Sequence, residues 1–481
     1  MAAFKPVKVL DQCKVAPPPG SVTPTCTTNP LSFLDIFWLA LTPVETLYFY
    51  EFPNPISHFT ESLLPQLKHS LSSTLIHFYP LSGNISWPHE PNQPMICYTE
   101  GDSVSFTVAE SDADFYHLSS NHPKDAIESR LLVPHLSTSG PILPILAIQV
   151  TVFPNTGICI ALARNHSSCD GRGFNHFMRT WSSISKLGAP SLLPESLPFL
   201  DRTVTEEHDD GMLKMFMDML DRIMGSESVS GNRILRAMDS ELQPNMVRAT
   251  FELNEANSKR LKEWVFAQYK KDEQTETRRS IPPSRLVAMC AYTWICLLEA
   301  EAKTGESNTN NMTLFGINVD CRARLNPPIP ETYLGNCVRP CVVIADKTDL
   351  MRGGGGEVGV AAQMIGDAVH EMEKGVLKGL PDTVSDYFDL PPGRYLATAG
   401  SPQFGYYKTD FGFGRPKKVE MASIDRSGAM FLKESSNEDD GIEFDLVLNR
   451  QEMDAFVSLF ADGLNALSEY SLCPSTPRSL L

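Results

Sequence analysis

The stretch ARNHSSCDGRGF, Ala163 to Phe174, joins an apolar run to an amphipathic one, and its reading decides the rest of the chain. Before it lie two β-type runs, ILPILAIQVTVF and GICIALAR, separated by Pro154, Asn155, Thr156 and Gly157, a turn-rich set that predicts a hairpin. After it, Phe174, Phe177, Met178, Trp181 and Ile184 recur at helical spacing, with Gly188 as the expected end. The stretch is therefore a strand-to-helix loop. His166 falls at the carboxyl end of the strand and Asp170 near the first turn of the helix.

Outward from this point the pattern repeats. FTESLLPQLKHSLSSTLIHFYPL sets Leu63, Leu64, Leu67, Leu71 and Leu75 on one helical stripe, stopped at Pro80 and Gly83. The second half begins with the strand-like RATFEL and the apolar helix RLVAMCAYTWICLLEAEA. Strand-like TLFGINVD, CVVIA, AMFLKE and IEFDLVL follow, and the helix QEMDAFVSLFADGL closes the series. Short strands interleaved with helices predict a mixed α/β (α+β) fold, not an all-helical bundle.

At 481 residues the chain exceeds what one hydrophobic core serves. We expect an N-terminal domain over 1–205, a crossover over 206–246 and a C-terminal domain over 247–481, with the segment near 410–430 packing back on the first domain. The crossover carries acidic EEHDD and the methionine-rich GMLKMFMDMLDRIM, whose Asp218 and Asp221 deny it the basic face of a calmodulin target. A helix packed at a domain junction is the expectation.

A net charge of −17 argues against nucleic acid and anionic membrane surfaces as partners. The 11 cysteines show no CxxC pair and no zinc spacing, so no metal site is expected and reduced thiols in a cytoplasmic setting fit best. The N-terminal MAAFKPVKVLDQCKV lacks the apolar region of a secretion signal.

His166 is the first candidate for chemistry. An ordinary imidazole pKa near about 6.5 lets it accept a proton at cellular pH. Most of the 11 histidines must be structural, but this one has Asp170, Gly171 and Gly173 beside it. Asp170 either orients the imidazole or turns away to pin the loop through an arginine; spacing leaves both open. No G-x-S-x-G elbow, HExxH or phosphate loop is present, and adjacent side chains diverge too far for Cys169 to pair with His166. A base without a protein nucleophile points to direct attack by a substrate hydroxyl on an activated acyl group. The second candidate, DFGFGRPKK from Asp410 to Lys418, reads as a tight turn packed by aromatics. A kinase DFG is ruled out by the missing glycine-rich loop and HRD.

Together, HSSCD at His166–Asp170 and DFGFG at Asp410–Gly414 resemble the HxxxD and DFGWG signatures of the plant BAHD acyltransferases. Further family-like stretches are FLDIFWL, HFYPLSGNI, PFLDRTV, AYTW and NVDCRARLNPPIP, so the resemblance covers nearly the whole chain. YLGNC at Tyr333–Cys337 and AGSP at Ala399–Pro402 resemble the clade acting on sugar hydroxyls of flavonoid, anthocyanin and phenolic glycosides, often from malonyl-CoA. Leu334, Phe413 and Asn165 depart from its usual residues.

The resemblance implies two chloramphenicol-acetyltransferase-like domains flanking a channel, and a monomer. Acyl-CoA enters as co-substrate, with no permanently bound cofactor, and His166 is the general base. It implies that Asp170 and Gly171 keep the loop's shape, with Arg322 or Arg324 the partner region of Asp170, and that Asp410, Gly412 and Gly414 are structural. Ser401 is a candidate oxyanion donor, set against an ordinary turn serine before Pro402. Ser284, at the start of a helix, is a candidate CoA contact. Arg278, Arg279 and Arg285 are candidate phosphate contacts, set against a solvated pair on a loop; Arg415, Lys417 and Lys418 form the competing basic cluster. A non-catalytic family member would be expected to lose His166 or Asp170. Acetyl, hydroxycinnamoyl and benzoyl donors, and other alcohols or amines as acceptors, use the same base and stay open alternatives to malonyl transfer.

Overall fold

The computed structural model describes residues 7–188, 194–238, 243–269, 282–305, 311–352, 356–388, 393–437 and 439–470. Two large mixed sheets organise the chain. The first runs, in spatial order, Lys8–Val15, Val104–Glu110, Leu146–Phe153, Gly157–Arg164, Val44–Glu51 and Lys418–Met421. The second runs Val338–Asp346, Met312–Asp320, Arg394–Gly400, Ala429–Glu434, Ile442–Asn449, Met246–Leu253 and Lys124–Asp125. A smaller four-stranded sheet, Cys26–Pro30, Met95–Thr99, Asn84–Ser86 and Ile142–Pro144, belongs to the first half.

The central hairpin of the first sheet pairs Phe153 with Gly157 and Leu146 with Arg164. Every residue of both its strands is buried, because structure covers both faces, and such strands read as continuous apolar runs instead of alternating ones. Beyond Arg164 the chain makes a short turn at His166–Ser168 and enters the helix Gly171–Leu187. That helix buries Phe174, Phe177, Met178, Trp181 and Ile184 on one face and ends at Gly188. It packs on the helix Leu64–Leu75, where Trp181 Nε1 donates to Leu67 O at 3.3 Å and Ser70 Oγ at 3.1 Å.

The second core surrounds the helix Arg285–Thr304, which is buried nearly all round by the helices Glu255–Tyr269, Glu357–Glu371 and Arg450–Tyr470. Such a helix is apolar on every side, as its sequence is. The methionine-rich helix Met212–Met224 packs on Phe33–Ala40 of the first half.

The sheets do not follow chain order. Lys418–Met421 pairs antiparallel with Val44–Glu51 and completes the first sheet. In return, Lys124–Asp125 pairs with Met246–Leu253 at the edge of the second. A buried ionic network joins these exchanged strands: Lys124 with Glu420, Arg248 near Glu420, and Lys433 with Asp445. Lys418 Nζ donates to Asn121 Oδ1 at 2.6 Å inside the same network. No described helix is long and apolar enough to cross a membrane.

Candidate active site

A cavity of about 840 Å³ opens between the two sheets. Trp38, His166, Gly171 and Phe174 line it from the first half; Ser284, Gly316, Asn318, Tyr395 and Ser401 line it from the second. His166 is half-buried in this wall. Its imidazole lies flat against the indole of Trp38, with centroids 4.0 Å apart and planes 12° from parallel.

The ring's Nδ1 is buried and makes no well-formed hydrogen bond. Its own carbonyl, the Asp170 charge and the Asn336 side chain favour the protonated form, but burial and the nearby Arg164 cation outweigh them and push the pKa down to about 3. Both effects favour the neutral imidazole. Nε2 is the nitrogen left to meet a ligand in the cavity.

Asp170 caps the helix that follows. Its Oδ1 accepts from Gly173 N at 3.0 Å and its Oδ2 from Cys337 N at 3.0 Å. Oδ2 also lies 2.8 Å from Arg322 Nη1, and both side chains are almost fully buried. Burial alone would raise the carboxyl pKa, yet the Arg322 charge and these hydrogen bonds hold it below the usual carboxylate range. Arg324 instead donates to Asp320 O at 2.7 Å at the surface. The charges continue outward, from Arg322 to Asp320 and from Asp320 to Arg172, whose Nε lies 2.8 Å from Asp320 Oδ2. Asn165 caps the short turn before it, accepting from Ser167 N at 3.1 Å. Cys169 is buried and burial raises its thiol pKa, so it offers no thiolate nucleophile.

Residues the sequence reading left aside hold this loop from behind. Asn336, within YLGNC, donates through Nδ2 to His166 O at 3.0 Å and to Asp35 Oδ1 at 2.9 Å. The fully buried Asp35 also pairs with Arg202 Nε at 3.2 Å, and Arg202 Nη2 donates to Ser168 O at 2.7 Å. Asp35 lies in FLDIFWL, Arg202 in PFLDRTV and Asn336 in YLGNC. A charged or amide residue inside each stretch was the one available sign.

The DFGFG turn lies behind the loop, outside the cavity wall. Asp410 Oδ1 accepts from Gly412 N at 2.8 Å and Gly414 N at 3.0 Å, and Oδ2 pairs with Lys186 Nζ at 2.7 Å. Gly412 and Gly414 have φ of 106° and 107°, a backbone that L side chains rarely adopt. Phe411 is buried edge-on against Trp181, 4.8 Å between centroids, so the turn clamps the back of the helix Gly171–Leu187. Phe413 extends the aromatic packing to Tyr50.

The remaining candidates divide. Ser401 lines the cavity, and its Oγ accepts from Gln403 N at 3.2 Å in a turn. Ser284 lines the cavity and caps the helix Arg285–Thr304, accepting from Val287 N at 3.1 Å. Arg285 is tied to Asp440 and is not among the cavity-lining residues. Arg278 and Arg279 lie outside the described residues. Of the competing cluster Arg415, Lys417 and Lys418, none lines the cavity. Lys418 faces the interior because the strand that carries it joins the first sheet, and Arg415 Nε donates to Tyr407 O at 3.0 Å.

His166 is thus presented on a cavity between two mixed sheets, with its neighbouring aspartate paired to an arginine. The family model described as "Transferase family" matches residues 18–462, and the chain belongs to this family, the BAHD acyltransferases. It is 35% identical to coumaroyl-CoA:anthocyanidin 3-O-glucoside-6''-O-coumaroyltransferase 1 of Arabidopsis thaliana, over 96% of this chain and 99% of that one. It is 34% identical to malonyl-coenzyme A:anthocyanin 3-O-glucoside-6''-O-malonyltransferase of Dahlia pinnata, over 95% of this chain and 97% of that one. The crystal structure of vinorine synthase shares the fold, with a TM-score of 0.62 at 20% identity, covering 93% of this chain and 96% of that one.

Proposed function

We propose that this protein is an acyl-CoA-dependent O-acyltransferase that moves an acyl group, malonyl in preference, onto a sugar hydroxyl of a phenolic or flavonoid glycoside, with both substrates bound at once. The observation that carries this reading is His166, held flat against Trp38 on the wall of a cavity lined from both halves of the chain. His166 Nε2 takes the proton of the acceptor hydroxyl as its oxygen bonds to the thioester carbonyl carbon. The tetrahedral oxyanion then collapses, the C–S bond breaks, and the proton passes from the imidazolium to the leaving thiolate. No step requires a protein nucleophile. An oxyanion donor is needed for the intermediate, and Ser401, on the cavity wall, is the candidate.

The cap of the helix Arg285–Thr304 offers Ser284 and the positive end of the helix dipole to the pantetheine or phosphate end of the acyl-CoA. Malonyl as donor is supported by the Dahlia relative, and Arg172, on the cavity wall and paired with Asp320, is the candidate partner of its free carboxylate. The coumaroyl-CoA relative, similar to the same degree, supports an aromatic donor as the second reading.

The test is a competition: purified protein, equal amounts of malonyl-, acetyl-, coumaroyl- and benzoyl-CoA, and a panel of flavonoid glucosides beside their aglycones, with products read by mass. Malonylated glucosides alone are the expected result. Aromatic or acetyl adducts, or acylated aglycones, would replace the donor or acceptor assignment while keeping acyl transfer. No adduct with any pair would overturn the reading.

A further inference from the structure

A base that must accept a proton from one direction needs its ring held, and a carboxylate usually does this. Here Asp170 is committed to Gly173, Cys337 and Arg322, and Nδ1 of His166 has no well-formed hydrogen bond. The χ2 torsion of a histidine is broad and two-fold, so sparse polar contact leaves the ring free to swing. Trp38 supplies what is missing. Its indole covers one imidazole face at 4.0 Å, nearly parallel. Trp38 is itself fixed: it sits in the short turn Phe37–Ala40, is 7% exposed, and meets the ring of Phe37 edge-on at 4.8 Å. The helix Met212–Met224 packs behind that turn.

The stack has an electrostatic consequence as well. Transfer of the hydroxyl proton turns His166 into a cation inside a site where Arg164 already opposes positive charge. The face of an indole is the most electron-rich surface that a protein side chain offers to a cation. It favours the imidazolium over the neutral ring and leaves the Nε2 edge open.

We propose that Trp38 is the positioning residue of His166: its ring face fixes the orientation of the imidazole and stabilises the cation formed as the acceptor hydroxyl is deprotonated. This inference rests on His166 being the base. It places the aromatic residue of FLDIFWL in the reaction and not only in the core.

The experiment compares kcat and KM for both substrates in the full-length protein carrying Trp38→Phe, Trp38→Leu or Trp38→Met, with His166→Ala measured alongside and melting temperatures recorded for all. The expected outcome is a fall in kcat of about tenfold or more in the Leu and Met variants, KM for acyl-CoA little changed, and recovery of most of kcat in Trp38→Phe. Trp38→Met fills much of the indole's space without a ring and carries the comparison if Trp38→Leu does not fold. A ring-free variant with near-native kcat overturns the proposal. So does a Phe variant as slow as the ring-free ones, which would assign the effect to the indole N–H. If His166→Ala itself keeps its activity, the failure belongs to the base assignment and is recognised as such.

Discussion

The carboxylate of Asp170 stands 2.8 Å from Arg322 Nη1 and gives its other contacts to the backbone N–H groups of Gly173 and Cys337. The aspartate of the HxxxD pattern therefore ties the second half of the chain to the loop that carries His166. Its hydrogen bonds and its ion pair all go to the scaffold around that loop.

Asp170→Asn should cost stability first. It leaves the buried Arg322 guanidinium without its counter-charge, a change worth about 3–5 kcal/mol when one partner of a buried pair is removed. The folded pKa of Asp170 is held below the unfolded value of about 3.9, so its contribution is complete above that pH and is lost as pH falls through the folded value. Chemical denaturation from pH 7 to pH 3 should show the variant less stable at neutral pH, with the gap closing in acid. A variant as stable as the parent at pH 7 would contradict the pairing.

His166→Ala should lower kcat by about 10²–10⁴-fold with little change in acyl-CoA affinity, the range for loss of a general base. Because the pKa of His166 is pushed down to about 3, the parent's kcat/KM should show no acid limb near the ordinary value of about 6.5. For stability the sign runs the same way as for a buried neutral group. The unfolded ring takes up a proton below about 6.5 and the folded ring does not, so the parent weakens from there toward pH 3 and the alanine variant weakens less. Rate profiles and urea melts across this range measure both.

Local pattern made much of this site legible. The hairpin Leu146–Phe153 and Gly157–Arg164, the loop at His166 and the helix stripe from Phe174 to Ile184 follow from residue spacing alone. What the spacing does not carry is long-range partnership. Asp35, Arg202 and Asn336 lie far apart in the sequence and meet around the loop only in the folded chain. The choice of Arg322 over Arg324 turns on which one faces inward after Cys321. Lys418 misled for the same reason, since a lysine beside Lys417 and Arg415 reads as surface until its strand is seen to enter the first sheet.

That entry makes a prediction about Lys418. Burial and the neighbouring Lys433 cation push its pKa down to about 7, far below the unfolded value of about 10.4. The unfolded chain binds the extra proton between those two values, so this group's unfavourable contribution fades as pH rises through that window. Lys418→Met should lack the parent's gain in stability between pH 7 and pH 9. Glu420→Gln, which removes the carboxylate partner of Lys124 and Ser129, should be destabilising by about 3–5 kcal/mol at pH 7. Equal melting curves for the two variants would contradict this division of the network.

Gly171 joins the loop to the cavity by close approach. A Cβ placed on it would stand 2.6 Å from Cε2 of Phe404, a cavity-lining ring carried on the turn that also holds Ser401. Gly171 is the first residue of its helix and its φ is not positive, so Gly171→Ala carries no conformational penalty of its own. The contact cannot persist, and the ring edge must swing. Its new position changes the cavity next to His166, so Gly171→Ala should lower kcat/KM by about tenfold while melting within a few degrees of the parent. Phe404→Leu shortens the obstructing side chain. The double variant Gly171→Ala, Phe404→Leu should then be more active than Gly171→Ala alone, and the double-mutant cycle should show coupling of about 0.5–3 kcal/mol between the two sites. Additive effects would mean that the glycine serves the loop for some reason other than the space taken by Phe404.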